Sequence, residues 1–265
     1  MKRVWLRAAA LALALVGVVA GLTVYFSVEN LPRCLISGVG TWRPPADGRR
    51  HRYEVVILDG SACFFDMDQR HRLVGALPLS KARWLSAAAP SASDTIRVRD
   101  TEHGVVFVTR RGVLGVRIVD FHTNRTLYVT RFKGFTWNPR FGPDPPSHGL
   151  SLAPDRPELW VLDAPNSVLH VFDVSELPDR PPRRLEDVRL SQPISGDENP
   201  CARACGRIGS LQHSADGRFV YVGDAGDVID TRTREIVANL EALHNSRVHL
   251  EVDWVDGKAF FPSPS

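Results

Sequence analysis

Two histidines stand at matching distances from a turn: His148 lies seven residues before Asp155, and His249 seven before Asp256. Imidazole titrates near neutral pH and ligates metals readily, so a matched pair is the first place to look for chemistry. Two aspartates are matched in the same sense, Asp163 closing the run ELWVLD and Asp224 the run FVYVGD. Together the four supply the imidazole and carboxylate groups that metal-assisted hydrolysis uses. The set is incomplete. In the intervening unit the place seven before Asp216 belongs to Gly209, and His213 sits four residues deeper in that frame. No GxSxG, HExxH or P-loop sequence occurs. The sequence therefore predicts no catalytic residue, no metal and no cofactor.

The elements that would position these residues come from a repeat. Four short apolar runs end alike: CFFD at Cys63 to Asp66, RIVD at Arg117 to Asp120, HVFD at His170 to Asp173 and DVID at Asp227 to Asp230. The closing aspartates are 54, 53 and 57 residues apart, too regular for chance. Ahead of each run is another strand-like one (YEVVIL, GVVFVT, ELWVLD, FVYVGD), and behind each a turn and a further run such as RTLYVTRF. Four strands joined by Asp/Gly turns make one blade of a β-propeller. Such a sheet is apolar on both faces and buries them by stacking on its neighbours. The closing aspartates are read as turn residues, since their carboxylates can accept backbone N–H groups two residues on.

The fold class is thus all-β: a β-propeller with four recognisable blades plus a partial fifth, preceded by an N-terminal hydrophobic helix. The fifth unit begins at Arg247 as RVHLEVDWVDGKAFF and stops after two strands. Either residues 33–40 (RCLISGVG) close the ring as an outer strand of that blade, or the ring is incomplete; a five-bladed or distorted ring is the expectation.

The runs SHGLSLAPDRPELWVLDAPNSVLHVFDVS (147–175) and GSLQHSADGRFVYVGDAGDVIDTRT (209–233) resemble the YVTN-type propeller repeat, with Asp163 and Asp224 in place of its final Asn. The likeness is good over these two stretches and skeletal over 45–135. It implies a YncE-like exported propeller, within a broader group that includes lactonase-like propellers and quinoprotein dehydrogenase heavy chains.

Residues 1–30 are a separate segment. Lys2, Arg3 and Arg7 precede an apolar run that carries no charge until Glu29. At ~1.5 Å rise per residue it spans about one bilayer core. It reads as a secretory signal, with Val18 and Ala20 before Gly21, or as an uncleaved anchor; basic residues on its N-terminal side keep that end inside. Residues 31–265 would then be exported, to the periplasm or outside. The even set of Cys34, Cys63, Cys201 and Cys205 suits that compartment, and the loop CARAC places Cys201 and Cys205 close enough to bridge. With 33 basic against 30 acidic residues, no concentrated basic face is indicated and no nucleic-acid partner is expected.

Function would sit on the face where each blade's last strand leads to the next blade. Those connections are long: 133–148 (KGFTWNPRFGPDPPSH), 191–208 (SQPISGDENPCARACGRI) and 241–249 (EALHNSRVH). Long loops on a rigid scaffold gather binding residues. Trp137, Arg140, His148, Asp163, Asp224 and His249 are the candidate ligand-binding residues, although Phe135, Trp137 and Phe141 could equally plug the channel mouth. The reading favoured is a binding or scaffold module for an unidentified protein or small molecule, associated with a membrane if the first segment stays uncleaved. The alternative is a propeller enzyme of lactonase-like or quinoprotein type.

Overall fold

The computed structural model describes residues 42–43, 45–58, 61–81, 97–110, 113–133, 149–194, 209–245 and 248–262. The hydrophobic segment 1–30 and the run 33–40 lie outside these residues. The described chain is built of β-strands and short 3-10 turns. Strands β1 (His51–Leu58), β2 (Ser61–Asp66) and β3 (Arg72–Pro78) begin the first sheet. The second holds β4 (Arg97–Asp100), β5 (Val105–Arg110), β6 (Val113–Asp120) and β7 (Thr126–Arg131). The third holds β8 (Leu150–Leu152), β9 (Glu158–Asp163), β10 (Val168–Asp173) and β11 (Arg183–Arg189). The fourth holds β12 (Ser210–His213), β13 (Phe219–Gly223), β14 (Asp227–Asp230) and β15 (Glu235–Asn239). Each is an antiparallel meander, as the repeat predicts, and we call them blades 1 to 4.

The last two strands, β16 (His249–Val255) and β17 (Lys258–Phe260), form no sheet of their own. β16 pairs antiparallel with β1, Tyr53 opposite Val252 and Val56 opposite His249, so the partial fifth unit joins blade 1. There β16 takes the place that β8 and β12 hold in their blades, as the first strand. β1 already occupies one edge of β16, and β17 therefore pairs along the other.

Side chains alternate across each strand and fill the seams between blades. Val56, Phe65 and Met67 of blade 1 meet Phe219, Tyr221 and Val228 of blade 4. Leu211, Val220 and Val222 turn to the other side of blade 4 and meet Trp160, Leu162 and Leu169 of blade 3. Blade 3 in turn sends Leu159, Val161 and Phe172 against Phe107 and Ile118 of blade 2. Each such side chain contributes about 1.5–3 kcal/mol when fully buried, so these seams hold the stack together. The outer face of blade 1 carries its own aromatic cluster, in which Trp42 stacks on Phe64 at 4.0 Å and meets Trp254 edge-on at 5.3 Å. Among the described residues, no buried cluster spans blades 1 and 2.

The four closing aspartates do what their chemistry suggests. Asp66 accepts from the N–H groups of Asp68 and Gln69, and Asp120 from those of His122 and Thr123. Asp173 accepts from Ser175, and Asp230 from Arg232 and Thr233. All four are turn residues.

Candidate functional site

In each blade the end of the fourth strand and the turn between the second and third strands lie at the same end. At that end, between blades 2 and 3, is a groove of about 560 Å³. One wall is the end of β7 and the residues that follow it: Arg131, Phe132 and Lys133. The other comes from blade 3: Asp163 at the end of β9, Asn166 in its turn, His170 on β10, and Arg184 and Asp187 on β11. The register explains the second wall. Val168, His170 and Phe172 alternate with Leu169 and Val171, so the first three face blade 2 while the others fill the seam with blade 4. His170 stands opposite Asp187 across β10 and β11.

His170 lies between two carboxylates. Its Nε2 is 3.1 Å from Asp163 Oδ2 and its Nδ1 2.8 Å from Asp187 Oδ1. Arg184 grips Asp187 through Nε and Nη2, both at 2.6 Å. Burial pushes the Asp187 carboxyl up, but the hydrogen bonds from His170 and Arg184 outweigh it and hold the group below the ordinary range. The Phe132 ring covers the imidazole at 4.1 Å between centroids. Asp163 also accepts from the backbone and side-chain N–H groups of Asn166, while Asn166 donates to the Lys133 carbonyl and ties the two walls together. On the opposite wall, Arg131 and Lys133 are exposed, and neither makes an ion pair among the described residues. The groove thus has a fixed polar wall and a cationic rim, an arrangement suited to a ligand bearing an anionic group.

The other candidates are placed elsewhere. His249 is fully buried in the seam between blades 1 and 4, where its Nδ1 is 2.5 Å from Glu54 Oε1. Burial raises the Glu54 carboxyl above the usual carboxylate range, against the pull of His249. The same seam holds a ladder of polar groups: Arg52 bridges Glu251 (3.0 Å) and Asp216 (2.8 Å), Ala215 N donates to Glu251, and His71 Nε2 meets the Tyr221 hydroxyl at 2.9 Å. This ladder ties β16 and the rest of blade 1 to blade 4. Asp224 is buried in the turn after β13 and accepts from Gly209 N at 3.1 Å. Gly209 has φ +76°, and a Cβ there would run into Leu162 of blade 3. In register, however, the place of His249, opposite Val56, belongs to Leu150 opposite Val161 in blade 3 and to Leu211 opposite Val222 in blade 4, so the spacing that matched the two histidines does not put them in equivalent places. Of the three candidates within the described residues, Asp163 alone lies in the groove; Trp137, Arg140 and His148 fall outside the described residues, as do Cys201 and Cys205. Cys63, the one cysteine within them, is wholly buried on β2.

Among the described residues, no three His, Cys, Asp or Glu side chains are grouped so as to hold a metal ion. Asp163, Asp224 and His249 each serve a different partner, so they do not form the converging set a metal-assisted hydrolase requires. Sequence reading missed His170, Arg184 and Asp187. Their one signal, a histidine inside HVFD followed by a charged strand, gains meaning only when the register sets His170 against Asp187.

No family model matches the chain, and no curated protein matches it. Among solved structures it is similar to the Cps50 (Swd1) β-propeller domain of Myceliophteria thermophila, at 14% identity and TM-score 0.36, over 72% of this chain and 55% of that one. It is also similar to Saccharomyces cerevisiae Sqt1 (11% identity, TM-score 0.34, 82% and 60% covered) and Kluyveromyces lactis Hsv2 (10%, 0.28, 69% and 58%). The chain spans less than two thirds of the length of each. The architecture of this chain is a stack of four-stranded propeller blades whose last strands return to the first.

Proposed function

We propose that this protein is a binding module rather than an enzyme, with its ligand held at the loop end of the stack in the groove between blades 2 and 3. The observation that carries this reading is the groove itself, with His170 fixed between Asp163 and Asp187, and with Arg131 and Lys133, which make no ion pair among the described residues, at its rim. A fixed wall favours binding, because ordering costs are met before the ligand arrives. A photo-crosslinking residue placed at Phe132 in the native host should give one discrete adduct that disappears in Lys133→Glu. The same residue placed at Phe121, exposed in the turn at the other end of the blade, should give none. Equal labelling at both places would defeat the reading.

The module is exported or tethered by residues 1–30. The basic start and long apolar run support this, as does the resemblance to YncE-like exported propellers. A fusion of residues 1–30 to a reporter active only outside the cytoplasm should be active, and carbonate extraction then separates a cleaved signal from an anchor; an inactive fusion refutes export. In the exported protein Cys201 and Cys205 are bridged, and two freely alkylated thiols at these positions before reduction would refute that.

A further inference from the structure

The face of blade 2 turned away from blade 3 is rich in arginine. The register sets Arg97, Val108, Arg117 and Val129 side by side across β4, β5, β6 and β7. Arg99 and Arg131 stand two residues along their strands from this row, and so point to the same side. Their neighbours Val98, Phe107, Ile118 and Tyr128 point the other way, into the seam with blade 3. The result is a sheet face of four arginines separated by valines.

Two observations mark this face as incomplete. Arg52, Arg156, Arg184 and Arg234 elsewhere in the molecule all reach carboxylates. None of the four on this face makes an ion pair among the described residues; Arg99 only lies over the Phe121 ring, 5.4 Å from its centroid. Independently, Arg117 Nε is buried and has no hydrogen-bond partner. An unmade bond to a buried charged donor is costly, so its acceptor is the missing piece. Arg117 and Arg131 border a cavity of about 60 Å³ whose other walls are mainly valine. This space is on the scale of a small polar group such as a single carboxylate.

We infer that this face docks an acidic polypeptide segment. Alternate side chains of an extended chain lie roughly 6.5–7 Å apart, the step from Arg97 to Arg99, so carboxylates spaced two residues apart meet these arginines in register. The intervening valines contact the aliphatic parts of such a segment. A flat membrane surface fits poorly, since Arg117 is recessed beneath the exposed Arg97 and Arg131. The surface meets the loop-end groove only at Arg131, which borders both, and the inference does not rest on the groove's being a ligand site.

The test uses the full chain and a fluorescein-labelled deca-glutamate peptide, read by fluorescence anisotropy. Arg97→Glu with Arg99→Glu changes two exposed side chains and leaves the fold intact, checked by an unchanged Tm. Arg125→Glu with Arg232→Glu makes the same charge change in exposed turns of other surfaces. The first pair should weaken binding about tenfold or more, and the second by less than about twofold. Equal loss from both pairs, or no binding by the wild type, overturns the inference. So does displacement of the peptide by inorganic phosphate or phosphatidylglycerol vesicles at lower concentration than unlabelled peptide. Loss confined to Lys133→Glu overturns it while supporting the groove.

Discussion

Acidifying the protein from pH 7 to pH 5 should cost it about 2 kcal/mol through His213 alone. This residue ends β12 in the seam between blades 3 and 4 and is 3% exposed. Its Nδ1 bonds the Ser151 hydroxyl at 2.7 Å, its ring stands edge-on to Trp160, and its Nε2 is buried without a partner. Burial first, and then the nearby charges of Arg156 and Arg234, push its pKa down to about 3. The unfolded chain, with an imidazole near ~6.5, therefore takes up a proton that the folded chain refuses. Stability is full above that value and is lost as pH falls through the window between the two. At pH 5 the ratio of protonation polynomials is about 30, against about 1.3 at pH 7, which at RT of about 0.59 kcal/mol gives the figure above. The result barely depends on the folded value so long as it stays well below 5. His71, lowered to about 4 mainly by burial, adds a loss of similar size, while Glu54, whose carboxyl is raised, works in the opposite direction. A single variant isolates the term. His213→Asn keeps an amide near Ser151 and cannot be protonated, so whatever packing it loses against Trp160 is lost at both pH values. Urea unfolding of both proteins at pH 7 and pH 5 should show the wild type losing about 2 kcal/mol more than the variant. Equal losses would mean that His213 is protonated inside the fold, and the reasoning would fail.

Three further outcomes follow from named contacts. His249→Ala strands the Glu54 carboxyl in the seam between blades 1 and 4 and should destabilise by about 3 kcal/mol, with Glu54→Gln milder; urea midpoints check both, and a loss below about 1 kcal/mol for His249→Ala would show the pair contributes little. Arg234 stacks its guanidinium over Trp160 at 4.9 Å and reaches Glu158 through two bonds, so Arg234→Lys should fail to restore what Arg234→Ala loses in thermal unfolding, whereas full rescue would reduce the contact to simple charge. Purified protein should carry no stoichiometric metal, and elemental analysis finding one tightly held zinc, calcium or iron per chain would return the enzyme reading to the front.

Much of the fold was legible because its signals are local. Short continuous apolar runs mark β1, β5 and β9, as strands buried on both faces require, and an aspartate two residues from a free N–H fixes each turn after a third strand; both signals lie within a few residues. The repeat of these signals gave four blades in their true order. Asp163 was legible for the same reason, as a matched position in two units. The matched spacing of the histidines was plain too, but it did not mean equivalent places, since in register Leu150 and Leu211 stand where His249 does.

What only the tertiary structure decided concerns which faces meet. His249 looked like a residue at an open channel mouth, yet it pairs with Glu54, 195 residues earlier in the chain, because the last strands return to the first sheet. His170, Asp187 and Lys133 carry no shared sequence signal, and a groove exists among them because β10 and β11 pair in one register and blade 2 packs beside them. The arginines of blade 2 are likewise scattered over three strands and align only across hydrogen-bonded neighbours. Strand and turn propensities act over a few residues, whereas register and blade stacking are settled by burying apolar faces brought together from distant parts of the chain.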